Sequence, residues 1–200
     1  MSNLSPQLQK GALITFDPNT GVRLHTIVLQ YNPDTLTRSL KPQAVGDEPD
    51  RTEILRLKGP PIETIKCDLE IDATDQLANA DPTATSVGIQ PQLAVLELLL
   101  YPSTTVLNTN ETLSLLGTIE ILPMESALTV FAWSRSRITP VRITDLQITE
   151  EAFDLALNPI RAKVSLGMRV LSVNDVGFTT PAGSLYMIYQ TTKESLASLA

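Results

Sequence analysis

Alternation of apolar and polar positions with a period of two runs through much of the chain, interrupted by Pro, Gly, Asn and Asp. Such a period places successive side chains on opposite faces of a strand, so the pattern predicts an antiparallel β protein with few helices. The clearest run starts at Ile160. Ile160, Ala162, Val164, Leu166, Met168 and Val170 hold one parity, and Arg161, Lys163, Ser165, Gly167 and Arg169 hold the other. This strand, Ile160 to Leu171, exceeds the ~5 to 6 residues of an ordinary strand and suits a hairpin that reaches beyond its own core. Its predicted partner, Ile138 to Ile148, changes phase: Val141 and Ile143 share one parity, Leu146 and Ile148 the other. A β-bulge near Thr144 and Asp145 would return both halves to one face. Leu128 to Trp133 forms the strand before it, across the tight Ser134-Arg135-Ser136-Arg137 link.

In the N-terminal half, Gly11 to Phe16 and Val22 to Tyr31 flank Asp17-Pro18-Asn19-Thr20-Gly21, which has hairpin chemistry. Leu36 to Lys41 leads into a polar loop, Pro42 to Thr52. Glu53 to Leu57 is a short strand, separated by Gly59-Pro60-Pro61 from a longer one, Ile62 to Asp72. In the longer strand Ile65, Cys67, Leu69 and Ile71 alternate with Lys66, Asp68, Glu70 and Asp72. Ala73 to Gly88 reads as a long loop or linker. Ile89 to Leu100 reads as a helix whose leucines cover nearly all sides, leaving Glu97 as its only charge. Such a helix calls for burial on most of its surface, in the core or between subunits. Pro102 to Glu125 is irregular, Thr149 to Pro159 is a connection, and 184–199 is an amphipathic helix after a turn at Gly177 to Gly183. The polar stretch 1–10 is expected to be flexible. Neither an internal repeat nor a break in composition appears, which predicts one domain over 1–200.

Composition narrows the function. The chain has 200 residues, 42% of them hydrophobic, enough for a sizeable core. A formal charge of -7 opposes a nucleic-acid partner, which needs cations in excess. No secretory leader or bilayer-length apolar run is present, so synthesis in the cytosol without membrane insertion is expected. The single cysteine, Cys67, reads as a small buried apolar residue, and the single histidine, His25, as a structural or surface residue within a strand. Phosphate loops, nucleophile elbows, paired Cys-x-x-Cys and His-Glu-x-x-His motifs are absent, and no cofactor, metal or catalysis is expected.

Asp68, Glu70, Asp72 and Asp75 could suggest a calcium or glycosidase cluster. Alternate strand residues lie ~6.6 Å apart, however, so these carboxylates read as a solvated or inter-subunit face. Arg161, Lys163 and Arg169 form a basic row complementary to acidic faces such as Asp68, Glu70 and Asp72. Together with Arg135 and Arg137 at the turn, these residues form the predicted assembly interface.

The run from Thr129 to Asp175 closely resembles the tube-initiator family of contractile injection systems, phage-tail-like baseplate proteins. The similarity lies in ordered motifs: Phe131 and Trp133, Pro140 to Ile143, Ile148 to Phe153, and Leu157 to Ala162. Upstream, Tyr31 to Leu36 and the stretch LKGPPIETIKCDLEIDATD fit the same pattern, as do Tyr189-Gln190 and Lys193-Glu194 near the end. The resemblance implies a tail-tube-type barrel of two packed antiparallel sheets with a buried helix and a C-terminal helix. It further implies a homo-hexameric ring that joins the spike protein to the inner tube among other baseplate subunits and templates tube polymerisation. Many relatives continue into a peptidoglycan-binding LysM module; none is expected after the closing helix here, so LysM-dependent contacts are not carried over.

The nearest alternative is the inner-tube protein, which shares the fold and stacks indefinitely. The long loops Pro42 to Thr52, Ala73 to Gly88 and Pro102 to Glu125 favour a layer with two different neighbours. A ligand-binding β-barrel is disfavoured by low aromatic content, one Trp, four Phe and four Tyr. A hydrolase would have to work with scattered carboxylates and one histidine.

Overall fold

The computed structural model describes residues 9–17, 20–44, 56–115 and 126–200. Their seven strands are β1 (Ala12–Phe16), β2 (Arg23–Val28), β3 (Leu36–Ala44), β4 (Leu57–Asp72), β5 (Leu128–Ser134), β6 (Arg137–Phe153) and β7 (Pro159–Val170). All pair antiparallel, in the order β2-β1-β5-β6-β7-β4-β3. Six helices accompany them: α1 (Thr74–Ala78), α2 (Pro82–Val87), α3 (Gln90–Glu97), α4 (Thr104–Leu115), α5 (Val173–Val176) and α6 (Pro181–Ala197). The fold is therefore mainly β. Where the resemblance implies two packed sheets, the described strands join in one continuous sheet.

That sheet is rolled. β2 and β3 follow one another in sequence yet occupy opposite edges. The eight residue steps from Val28 to Leu36 reach at most ~29 Å when fully extended. Crossing a flat seven-stranded sheet also takes ~29 Å, and this link bends at Gln30, Tyr31 and Asp34, so a flat sheet is out of reach. The Gln30 side chain confirms the roll. Its Nε2 donates to the Asp72 carbonyl at 2.6 Å and its Oε1 accepts the Asp72 amide at 3.0 Å, clasping the end of β2 to the end of β4.

β7 lies at the centre of the sheet, as its parity requires. Ile65, Cys67, Leu69 and Ile71 of β4 stand opposite Met168, Leu166, Val164 and Ala162 of β7, all buried. On β6, Val141 and Ile143 face the same core. The register then shifts between Ile143 and Asp145, so that Leu146 and Ile148 pair with Leu166 and Val164 on that same face. The bulge falls where the phase change predicts it. Gly167 stands opposite, where an added Cβ would lie 3.1 Å from the Asp145 Cβ.

β4 runs unbroken through Gly59-Pro60-Pro61, contrary to the expected break. At that end β4 pairs only with β3, since its ladder with β7 stops at Thr64, and the β3 register is already irregular between Lys41 and Ala44. A missing proline N–H therefore removes a bond on one side only, and Gln43 Nε2 caps the Pro60 carbonyl at 3.0 Å. β6 likewise continues to Phe153, through residues expected to form a connection.

Local chemistry also builds helices where the sequence suggests loops. Asp81 accepts the amides of Thr83 and Ala84, and Pro82 occupies the first turn, which starts α2 within the expected loop. α4 lies in the stretch expected to be irregular and buries none of its residues. The long-loop contrast with the inner-tube protein thus loses part of its basis. α3 buries Leu93 and Leu96 while Leu98 and Leu100, just beyond its end, are exposed, so within one chain this segment is covered on one side only. α6 starts close to expectation, with the Thr180 hydroxyl accepting the Gly183 amide at 3.0 Å, and it sends Tyr186 and Tyr189 into the core. Gly88, at φ +60°, lets the α2–α3 junction approach β7 so closely that a Cβ would lie 2.2 Å from the Pro159 carbonyl oxygen.

The expected flexibility of 1–8, the Pro18-Asn19 turn, most of the Pro42 to Thr52 loop, the start of the Glu53 to Leu57 strand and the end of the Pro102 to Glu125 stretch lie outside the described residues. No helix among the described residues is long and apolar enough to cross a membrane.

Candidate assembly surface

The outward face of the β4–β7–β6 ladder carries most of the residues predicted for assembly. Asp72 stands opposite Arg161, Glu70 opposite Lys163, and Asp68 opposite Ser165. Arg161 Nε lies 2.8 Å from Asp72 and 3.9 Å from Glu70, Ser165 donates to Asp68 at 2.6 Å, and Lys163 reaches Glu151 at 3.0 Å. Arg169 pairs with Asp175 at 2.6 Å, and Asp175 also closes a capping box with Ser172 at the start of α5. The complementarity between the basic and acidic rows is thus engaged inside one chain. The Thr74 hydroxyl, followed by the Thr74 amide and Arg161, holds the Asp72 carboxyl below its usual range.

Arg135 lies in the β5–β6 turn and Arg137 begins β6, at the base of the β6–β7 hairpin, and neither is ion-paired among the described residues. Arg142 is in the same state and stands directly opposite Arg169, a like-charged pair. Beside Arg142 opens a cleft of about 740 Å³, lined by Leu100, Leu128, Val141, Ile143 and Leu171 among others. A second cleft of about 400 Å³ lies between β2 and α3 over Leu69 and Ile71, where the roll of the sheet stays open.

The other end of the hairpin holds a feature that the sequence reading missed. Phe153, Leu155 and Leu157 are exposed there at 49%, 107% and 78%. Polar contacts fix the loop that presents them. Asp154 accepts the amides of Ala156 and Asn158 and the Asn158 carboxamide, each at 2.8 Å, and these bonds, the Asn158 side chain's first, hold its carboxyl low. Asn158 Nδ2 also reaches the Ser86 carbonyl at 3.2 Å, bracing the tip on α2. Ala152 and Leu157 adopt φ of +52° and +63°, a left-handed geometry unfavourable for both residue types. Apolar residues at every second position around an Asp and an Asn were the available signal, within a segment that reads as a connection.

A buried polar cluster fixes α6 to the sheet. Glu63 shares the core parity of Ile65 and is 3% exposed. Arg38 donates to it through Nε at 2.8 Å and Nη2 at 2.6 Å, the Tyr189 hydroxyl at 2.9 Å and Lys193 at 3.1 Å. Burial alone would raise the Glu63 pKa, but the bonds from Arg38, Lys193 and Tyr189 outweigh it and the carboxyl titrates below its ordinary value. The Tyr189 phenol is pushed up to about 12, by burial first and then by Glu63. A charged residue at a core-parity position was the sequence signal for this cluster.

Cys67 is buried, and its thiol is pushed up to about 11 by burial and then by Asp68. His25 is exposed on β2. Among the described residues no three His, Cys, Asp or Glu side chains converge as a metal site would require.

No family model and no curated protein matches the chain. Among solved structures, the tail of an empty GTA particle with C6 symmetry is similar at 12% identity and a TM-score of 0.31, over 80% of this chain and 90% of that one.

Proposed function

We propose that this chain is a structural subunit of a contractile injection system, a tube initiator or baseplate adaptor that assembles as a hexameric ring between spike and inner tube. The observation that carries the reading is the sheet itself: β2 and β3 are edge strands, and among the described residues nothing pairs with their outer sides. Open edges are hazards in a monomer and docking lines in an assembly. A head-to-tail contact through them closes a ring when its rotation permits. The ordered motifs between Thr129 and Asp175 supply the family and the six-fold count. Within this reading Arg135 and Arg137, without an ion pair among the described residues, contact a neighbour, while Arg161, Lys163, Arg169, Asp68, Glu70 and Asp72 keep the ladder rigid and face an adjacent layer.

Light scattering and electron microscopy of the purified chain test the proposal. A closed six-fold ring is expected. A monomer at tens of micromolar, with no ring in images, overturns it, and long stacks of identical layers transfer the assignment to the inner-tube protein.

A further inference from the structure

The two ends of the β6–β7 hairpin are complementary. Toward the tip, the outward rungs carry Asp68, Glu70, Asp72 and Glu151 against Arg161 and Lys163, an excess of carboxylates. Glu150 and Asp154 add to that excess. Toward the base, the rungs carry Lys66, Arg142 and Arg169 against Asp145 and against Asp175, which pairs with Arg169, and Arg135 and Arg137 follow and leave the base with an excess of cations. The acidic end presents a braced apolar knob, Phe153, Leu155 and Leu157, and the Arg142 region of the same hairpin opens the apolar cleft lined by Leu100, Leu128, Val141 and Ile143. At ~3.3 Å per residue, the eleven steps from Arg142 to Phe153 separate knob and cleft by roughly 36 Å. A chain cannot bring its own knob to its own cleft along one hairpin.

The geometry points to a head-to-tail contact in which the tip of one copy enters the Arg142 cleft of a second copy of this chain. The acidic tip approaches the basic base of the hairpin, and the exposed leucines leave water against Leu100 and Leu128. Since knob and cleft are different surfaces, the contact is heterologous and each copy can both give and receive. Rings or longer arrays follow where neighbouring copies share one such contact. This contact rests on the ring proposal above and adds the hairpin tip and its receiving cleft to the β2 and β3 edges as surfaces the ring needs.

Complementary dead-end variants test it. Leu155→Asp with Leu157→Asp disables the knob, and Leu100→Asp with Arg142→Glu disables the cleft. All four positions except Leu100 are free of core packing and Leu100 is half exposed, so both variants should fold, which near-ultraviolet circular dichroism at Trp133 checks. In sedimentation velocity each variant alone is expected to run as a monomer. Mixed in equal amounts, they are expected to form a heterodimer and nothing larger, because one intact knob meets one intact cleft. A mixture that stays monomeric, or either variant keeping the parent's assembled size, overturns the contact. Parent rings that survive both variants overturn the contact alone, while a parent that never assembles overturns the ring proposal with it.

Discussion

Replacing Glu63 with Gln removes one negative charge and almost no volume from the most buried ionic cluster of the described residues. The carboxylate accepts two bonds from Arg38, one from Tyr189 and one from Lys193. Hydrogen bonds to a charged group contribute ~1.5 to 3 kcal/mol each when the partner is held in place. Arg38 and Lys193 keep 27% and 32% of their side-chain surface in water, so they recover solvation when the charge is lost. Allowing for that screening, the substitution should cost about 2 kcal/mol at pH 7, not the ~3 to 5 kcal/mol expected for a fully buried pair. The effect depends on pH with a definite sign. The folded-state pKa of Glu63 is lowered, so its contribution is complete above the unfolded value, near 4.3, and fades as pH falls through the lower folded value. Urea unfolding of parent and variant in parallel, under conditions where both are monomeric, measures the difference. It should be largest from pH 6 to 7 and shrink below pH 4. A difference under ~0.5 kcal/mol at pH 7, or one unchanged down to pH 3, would refute the assigned role of the cluster.

Other substitutions probe single features. Gly88→Ala combines a φ of +60° with a Cβ placed 2.2 Å from the Pro159 carbonyl oxygen; it should cost about 2 to 3 kcal/mol, read as a lower urea midpoint. Leu166→Ala empties a position 1% exposed at the centre of the sheet and should cost about 3 kcal/mol, whereas a cost near zero would show that Leu166 is not in the core. The native Cys67 thiol, its pKa near 11, should react with a thiol reagent at pH 8 on the order of 100-fold more slowly than the unfolded chain. Asp154→Ala frees the amides of Ala156 and Asn158, so hydrogen exchange at those two amides should accelerate while amides in the middle of β7 stay protected.

Residue spacing alone determined what local geometry decides. A strand face repeats every second residue, so the inward row from Ile160 to Val170 could be read directly. A change of phase requires an extra residue, which located the bulge between Ile143 and Asp145. Helical spacing of Leu185, Ile188, Tyr189, Leu196 and Leu199 marked α6 to within three residues of its start, and the Thr180 cap and Pro181 carry it back into the expected turn. The tertiary structure decided whatever depends on distant partners. β4 crosses its two prolines because only β3 pairs with it there. The sheet rolls because a short link joins its opposite edges and Gln30 clasps Asp72. Glu63 tolerates burial because Tyr189 and Lys193, 126 and 130 residues away in sequence, converge on it. The charge rows looked like surfaces awaiting another subunit, and register alone brought them together within one chain. Parity assigns a residue to a face, but pairing between strands decides which charges on that face meet, and that pairing leaves Arg135, Arg137 and Arg142 without an ion pair among the described residues.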